Sequence, residues 1–200
     1  MQTASVVSRT VTLEWPERFS GLDVAQCVEL LNAVVRTSGT NGYSQELTRE
    51  DGDRLFEGLE FAIRRGEAFQ LFARDENGRV VGIATLYRYK QPDRRHVVEI
   101  SRVAILPERR GEFLMTGLRE VLRLVKSIGG DLLAIDVSED GPVALWERLG
   151  FRTWGVMKDY ARVGSRRLDG YYMTLSVSDA LAALDIKPGN ARPPCSSPGS

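Results

Sequence analysis

EISRVAILPERRGEFLM, residues Glu99–Met115, combines three features in one short segment. An apolar run ends at Pro107, and the basic sequence Arg109-Arg110-Gly111 follows it. A helical pattern of apolar residues then begins. A strand that ends in a tight basic loop before a helix offers backbone N–H groups and a favourable helix dipole to an anion. The segment therefore predicts a phosphate-binding loop.

The chain before this segment reads as a strand, two helices and a hairpin. Thr48 and Asp51 have the spacing of a capping box at the start of the second helix. Asn77-Gly78 is a strong hairpin signal between two apolar runs. The predicted elements are a strand over residues 9–14, helices Leu22–Val35 and Arg49–Arg65, and strands Phe69–Arg74 and Arg79–Tyr87.

The second half continues with alternating strands and helices. A continuous apolar run such as Leu132–Val137 is typical of a strand that is buried on both faces. Pro142 fits the first turn of a helix, and Gly150 fits its end. The predicted elements are strand His96–Leu106, helix Gly111–Ser127, strand Leu132–Val137, helix Val143–Leu149, and strands Phe151–Met157 and Gly170–Val177.

Local motifs and the order of elements together resemble the GNAT superfamily of N-acetyltransferases over about residues 9–177. The family's acyl-CoA loop reads Arg-x-x-Gly-x-Gly/Ala, and Arg110 with the adjacent Gly111 resembles its start. The segment Leu145–Phe151, LWERLGF, resembles the family's Leu-Tyr-x-x-Leu-Gly-Phe. Residues Asp159–Val163 with Gly170-Tyr171-Tyr172 resemble the end of tabtoxin-resistance-type acetyltransferases.

This resemblance implies an α/β (α+β) fold. Its centre would be a mixed, mostly antiparallel sheet of about seven strands with flanking helices and a splayed parallel strand pair. Residues 1–180 would form one GNAT-like acyltransferase domain. Residues 181–200, which are rich in Pro, Gly and Ser, predict a disordered tail.

The resemblance also implies the activity. The expected enzyme is an N-acyltransferase that moves an acetyl or other acyl group from a CoA thioester to the amine of a small molecule, with acetyl-CoA as co-substrate. Phe113 and Met115 stand where the family has small residues, and Trp146 stands where it has Tyr. Two alternatives therefore stay open: an enzyme that uses an acyl carrier protein or a bulkier acyl-CoA, and an inactive GNAT-fold binding or regulatory module.

Two carboxylates are the candidate catalytic residues. Acylation of an amine requires that the ammonium first lose a proton. Many family members carry the required carboxylate at the position of Glu99, and the tabtoxin-resistance pattern implicates an acidic residue at Asp136. Asp136 also interrupts an apolar strand, where an unpaired carboxylate would be costly. The alternative for Glu99 is a structural pair with Arg102 or Arg88. For Asp136 the alternatives are binding of the substrate ammonium and a structural hydrogen bond to a loop.

The cofactor would lie along the end of the strand and the loop. Phe113 and Met115 are expected to crowd the loop and weaken acetyl-CoA binding. Trp146 can donate a hydrogen bond to the leaving sulfur but cannot protonate it, which leaves Tyr160 and Ser138 as other hydroxyl candidates. The residues predicted to contact CoA are Val103, Ile105, Leu106, Arg109, Arg110, Gly111, Glu112, Phe113, Leu114, Met115 and Trp146.

The composition limits the classes of molecule that the chain is expected to bind. The chain has 27 basic and 27 acidic residues, which argues against nucleic acid or a membrane bound by bulk charge. Two cysteines and the single His96 argue against an ordinary zinc site, and His96 reads as a surface residue at a strand edge. No signal peptide or membrane span is recognisable, so a cytoplasmic protein is expected. The expected partner is a small-molecule amine, and a homodimer stays open.

Overall fold

The computed structural model describes residues 11–38, Tyr43 and residues 45–185. Two short 3-10 turns, Pro92–Arg94 and Pro107–Arg109, lie on either side of the fourth strand. In chain order the strands and helices are β1 (Thr12–Glu14), α1 (Gly21–Ser38), α2 (Arg49–Arg64), β2 (Ala68–Arg74), β3 (Val80–Arg88), β4 (Val97–Ile105), α3 (Leu114–Ser127), β5 (Leu132–Ser138), α4 (Val143–Arg148), β6 (Arg152–Val163), β7 (Arg166–Ser176) and α5 (Val177–Asp185).

Within these residues the strands form one seven-stranded sheet in the order β1-β2-β3-β4-β5-β7-β6. Neighbouring strands are antiparallel except for β4 and β5, which are parallel. The parallel pairing joins Val97–Ile100 to Leu132–Ile135, and both strands continue beyond it. The predicted fold class, with its splayed parallel strand pair, is therefore confirmed.

Helices cover both faces of the sheet. On one side, which we call the α1/α2 face, residues of α1 and α2 pack with Phe72 and Ile83 in one core cluster. On the other side, the α3/α5 face, residues of α3 pack with Leu133 and Met173, and α5 closes over them. Cys27 of α1 is completely buried in the first cluster.

Several local predictions are confirmed, and others need correction. The capping box of α2 is present, with the Thr48 side chain accepting from the backbone of Asp51 and the reverse bond also made. Gly78 turns the β2–β3 hairpin with φ 76°. The helix predicted from Gly111 begins instead at Leu114, because Gly111 has φ 85° and cannot be a helical residue.

The C-terminal region also differs from what the sequence predicted. β6 and β7 are longer than predicted and meet at a turn that contains Gly164. The last helix, α5, was not predicted, and it covers residues 181–185 that had been assigned to the tail. Its apolar residues pack on β7 and α3, which is the reason for its order. Residues 186–200 of the expected tail, and residues 9 and 10 of the expected first strand, lie outside the described residues.

No helix among the described residues is long and apolar enough to cross a membrane. The same part of the chain contains no group of three or more His, Cys, Asp or Glu side chains that could hold a metal ion. His96 is exposed and lies just before β4.

Candidate active site

An irregularity in β4 turns two of its charged residues to the same face of the sheet. The pairing with β3 shifts by one residue at Ser101, which has no partner on that strand. Residues three apart in a regular strand point to opposite faces, but the bulge brings Glu99 and Arg102 onto one face. This is the α1/α2 face, because Ala104, two positions further on, belongs to the core cluster on that side.

Two carboxylates lie on this face where β4 and β5 begin to separate. Glu99 is next to Ala134 in the parallel pair, and Asp136 is two residues further along β5. Successive positions on one face of a strand are about 7 Å apart, so Glu99 and Asp136 are neighbours across the splay. Asp136 lines the cleft that opens there, while Glu99 is half-buried at the level where the strands are still paired.

Each carboxylate accepts a hydrogen bond from a tyrosine. The Tyr89 hydroxyl donates to Oε2 of Glu99 at 2.9 Å, and the Tyr160 hydroxyl donates to Oδ2 of Asp136. Burial, assisted by the hydrogen bond to Asp136, raises the pKa of Tyr160 well above its usual value. The phenol therefore stays protonated at neutral pH and acts as a donor toward the carboxylate.

Tyr160 owes its position to a distortion of β6. Three residues of β6 between Met157 and Ala161 lie opposite the single residue Asp169 of β7. Within them Asp159 has φ 56°, the left-handed region that few non-glycine residues adopt. Gly170 makes room for the tyrosine ring, since a Cβ there would lie 2.3 Å from Cγ of Tyr160.

A cleft of about 870 Å³ lies between the separating ends of β4 and β5. Its size is in the range of ligand and cofactor sites. The cleft is lined by the C-terminal parts of β4 and β5, the loop before α3, the start of α4 and the distorted part of β6. The lining residues are Val34, Tyr43, Ile100, Ser101, Arg102, Val103, Ala104, Ile105, Arg110, Gly111, Leu114, Ile135, Asp136, Val137, Ser138, Asp140, Gly141, Pro142, Leu145, Trp146, Tyr160, Ala161 and Arg162.

The loop between β4 and α3 separates its two arginines. Arg110 is exposed and lines the cleft with Gly111. Arg109 is 4% exposed and forms an ion pair with Glu112, and neither residue lines the cleft. One guanidinium nitrogen of Arg109, Nη2, is buried with no hydrogen-bond partner among the described residues. The structure thus brings only one of the two predicted phosphate-binding arginines to the cleft.

The start of α3 is suited to a phosphate group. No described side chain caps this helix, so the N–H groups of its first turn are available to an anion. Gly111, in its left-handed conformation, leaves open space where a Cβ would stand. Together with Arg110 these features fit the diphosphate of a CoA molecule.

Phe113 does not crowd the loop, contrary to the expectation from sequence. Its side chain is 7% exposed and lies in the hydrophobic core. A Cβ on Gly82 of β3 would be 2.7 Å from the Phe113 ring, so the ring occupies the space that this glycine leaves. Met115 is 48% exposed and does not line the cleft.

Two further groups near the end of β5 face the cleft. Trp146 of α4 is 7% exposed and packs edge-on against Phe151, with ring centroids 5.3 Å apart. Ser138 also lines the cleft, and its buried Oγ has no hydrogen-bond partner among the described residues. Ser138 is therefore placed to donate to a ligand atom in the cleft, and Trp146 lines the same part of it.

The predicted residues divide between the cleft and its surroundings. The N–H of Leu106 donates to the carbonyl of Val81 at 3.0 Å, so this amide is not available to a pantetheine chain. Predicted site residues in the lining are Val103, Ile105, Arg110, Gly111, Leu114, Asp136 and Trp146, and those outside it are Glu99, Leu106, Arg109, Glu112, Phe113 and Met115.

Two polar residues of the site were missed. Tyr89 directly follows β3, and its hydroxyl contacts Glu99 on the next strand. No local sequence pattern indicates this contact, because it forms only when the two strands pair. Arg102 was considered only as a structural partner of Glu99. The bulge at Ser101 that places it in the cleft likewise has no recognisable sequence pattern.

This geometry agrees with the comparisons with known proteins. The profile of the family described as "Acetyltransferase (GNAT) family" matches residues 31–151, which is more than half of the chain. The chain therefore belongs to the GNAT acetyltransferase family. A comparison with curated protein sequences gives no match.

Solved structures share the fold at low sequence identity. An N-acetyltransferase from Staphylococcus aureus Mu50 has a TM-score of 0.67 at 16% identity, over 84% of this chain and 99% of that one. A ribosomal-protein-alanine N-acetyltransferase from Brucella melitensis has a TM-score of 0.66 at 23% identity, over 82% and 99%. A phosphinothricin acetyltransferase from Sinorhizobium meliloti, in complex with acetyl-CoA, has a TM-score of 0.64 at 22% identity, over 84% and 88%.

The family match confirms the enzyme class that the sequence resemblance implied. The chain is an acetyltransferase of the GNAT type. The Sinorhizobium meliloti enzyme of similar fold was solved with acetyl-CoA bound. The cleft of this chain, with Arg110, Gly111 and the uncapped start of α3, contains groups that suit an acyl-CoA.

Proposed function

We propose that the protein transfers the acetyl group of acetyl-CoA to the amine of a small molecule. The observation that carries this proposal is the placement of Glu99 and Asp136 as neighbours on one face of the β4–β5 splay. Asp136 shares its cleft with Arg110 and Gly111, so an acyl-CoA and an amine could meet at the carboxylates. The presence of both carboxylates favours an enzyme over a module that has lost catalysis.

Asp136 is proposed to bind the substrate ammonium. It lines the cleft directly, and the Tyr160 hydroxyl fixes one of its oxygens. A carboxylate held in this way can accept a charge-assisted hydrogen bond from an ammonium group without changing its position. Asp136 therefore orients the amine and favours its entry.

Glu99 is proposed to accept the proton that the ammonium must lose before it can act as a nucleophile. Tyr89 occupies Oε2 of Glu99, and the carboxylate is half-buried beside the point of separation. Because Glu99 does not itself line the cleft, the proton would pass through a water molecule. Acetyl-CoA would supply the acyl group: its carbonyl carbon would bond to the amine nitrogen as its bond to sulfur breaks. The second proton that the nitrogen loses would then go to the departing thiolate, which leaves as the free thiol of CoA.

The indole N–H of Trp146 and the hydroxyl of Ser138 are proposed to stabilise the thiolate that leaves. Both residues line the cleft at the end of β5, and Ser138 Oγ lacks another partner among the described residues. Neither group is acidic enough to protonate a thiolate at neutral pH, so both would act by hydrogen bonding. Tyr160 is less suited to this role because its hydroxyl already donates a hydrogen bond to Asp136.

A small acceptor is proposed because the whole cleft, including the space for the acyl-CoA, is about 870 Å³. Phosphinothricin acetyltransferases are among the proteins of similar fold. A bulkier acyl group remains the alternative for the donor, and a comparison of acetyl-CoA with longer acyl-CoAs distinguishes the two.

The test of the proposed function is Glu99→Gln. We expect acetyl transfer to a panel of primary amines, followed by mass spectrometry, to fall roughly a hundredfold, which is the usual scale for a general base. The affinity for acetyl-CoA, measured by calorimetry, should not change. Glu57→Gln, on the exposed surface of α2, is the matched control. Unchanged turnover of Glu99→Gln across the pH range would remove Glu99 from the mechanism.

A further inference from the structure

Arg102 is the charged residue of the cleft that the proposed chemistry does not use. It lies on β4, one same-face position beyond Glu99, and lines the cleft. Its Nε is buried and has no hydrogen-bond partner among the described residues. A buried donor without an acceptor costs free energy, so this nitrogen is placed where a ligand atom can satisfy it.

The neighbours of Arg102 hold the guanidinium in place without neutralising it. Its Nη1 donates to the Ser101 hydroxyl at 3.4 Å, and its Cζ lies 5.6 Å from the centre of the Tyr43 ring. A ring face at this distance attracts a cation but takes none of its N–H groups. No carboxylate of the described residues pairs with it: Tyr89 binds Glu99, and Tyr160 binds Asp136.

The other charges of the cleft are engaged elsewhere. Nε of Arg162 is 2.9 Å from Oδ1 of Asp159, and Asp140 is 3.7 Å from a guanidinium nitrogen of Arg166. Arg110 lies at the loop before α3, where the diphosphate is proposed to bind. Arg102 is thus the cleft cation beside the two catalytic carboxylates.

We propose that Arg102 binds an anionic oxygen group of the acceptor, so that the acceptor is an amino acid or a related amine carrying a carboxylate or phosphonate. This inference rests on the proposed function. Glu99 and Arg102 pair with Tyr87 and Thr85, which are two residues apart on β3. The Cβ atoms of Glu99 and Arg102 are therefore about 7 Å apart. Asp136, which is proposed to bind the ammonium, lines the same cleft as Arg102. An acceptor with its amine and an oxyanion joined through one or two carbon atoms could therefore meet both residues. Arg fits such a group because its planar fork can donate two parallel hydrogen bonds.

The experiment compares amines that differ only in the anionic group. L-Leucine is paired with isoamylamine, L-phenylalanine with phenethylamine, and aminoethylphosphonate with ethylamine, all with acetyl-CoA and detection of the N-acetyl product by mass spectrometry. We expect kcat/KM to be between about tenfold and about a hundredfold higher for the anionic member of at least one pair, the range of a charge-assisted hydrogen bond. The pair with the larger ratio distinguishes a carboxylate from a phosphonate.

Variants connect this preference to Arg102. Arg102→Met should abolish the preference and leave acetyl-CoA affinity unchanged, while Arg102→Lys, which keeps the charge and loses the fork, should retain part of it. Arg152→Met makes the same replacement on the exposed start of β6 and should behave as the parent protein. Thermal melting establishes that each variant is folded, and Arg102→Lys serves as the test if Arg102→Met is not.

The outcomes separate this inference from the proposed function. Equal acetylation of both members of every pair, or a preference that persists in Arg102→Met, overturns the role of Arg102 while acetyl transfer stands. If no amine is acetylated but the anionic members bind to the CoA-saturated protein and lose affinity in Arg102→Met, the role of Arg102 stands and the proposed function fails. Absence of both binding and acetylation of the anionic members overturns the inference as well.

Discussion

The loop between β4 and α3 and the carboxylate site between β4 and β5 both place charged side chains below the surface, but they orient them differently. In the loop, Arg109 turns inward and pairs with Glu112 three residues away. In the carboxylate site, Asp136 faces the cleft and accepts a hydrogen bond from the neutral hydroxyl of Tyr160. The first charge is neutralised by an ion pair, whereas no cation among the described residues is paired with the second.

The difference shows which buried charges are candidates for function. An ion pair between near neighbours satisfies both charges and contributes little more than local structure. A carboxylate held by a tyrosine retains its charge and its remaining acceptor capacity, so it is preorganised for an ammonium. The same criterion separates Arg102, which has an unsatisfied Nε in the cleft, from Arg109, whose unsatisfied Nη2 lies outside the cleft lining.

Replacement of Asp136 tests the carboxylate side of this comparison most directly. We expect Asp136→Asn to lower kcat/KM for the amine by about a hundredfold or more, because the ammonium loses its counter-charge while the shape of the side chain is kept. Tyr160→Phe, measured in the same assay, should lower it less, since the carboxylate remains. An equal loss in both variants would mean that the phenol itself takes part in the reaction.

Replacement of Gly82 tests whether Phe113 belongs to the core or to the loop mouth. Gly82→Ala should lower the free energy of unfolding by about 1–3 kcal/mol, because the new methyl group collides with the Phe113 ring. Chemical denaturation measures the change. In a Phe113→Leu background the same alanine should cost less. A cost of equal size in both backgrounds would contradict the packing of Phe113 against Gly82.

Separate replacement of the two loop arginines should give the smallest effect. Arg110→Met is expected to weaken acetyl-CoA binding about tenfold, which corresponds to about 1.4 kcal/mol. Arg109→Met should leave this affinity unchanged, because Arg109 is buried against Glu112 and does not line the cleft. Calorimetry on both variants, with circular dichroism to verify folding, measures the contrast. If Arg109→Met proved the more damaging to affinity, the division of roles within the loop would be wrong.

Much of the fold could be predicted because its signals are local. The capping box at Thr48, the Asn77-Gly78 hairpin and the apolar run of β5 each act through neighbouring residues, and each was recognised. The helix α5 was missed because its order comes from packing on β7 and α3, not from a strong pattern of its own. The start of α3 was placed three residues early because apolar spacing does not reveal the backbone conformation of Gly111.

The sequence by itself determined the family, the order of the elements from β1 to β7 and the two candidate carboxylates, since motifs and periodicity are properties of neighbouring residues. Only the tertiary structure decided which side chains of one short loop face the cleft and which face the core. The bulge at Ser101 moves Arg102 beside Glu99, and the space above Gly82 draws Phe113 inward. Both effects depend on strands brought together by folding, because a side chain takes the direction that its partner across the sheet leaves open.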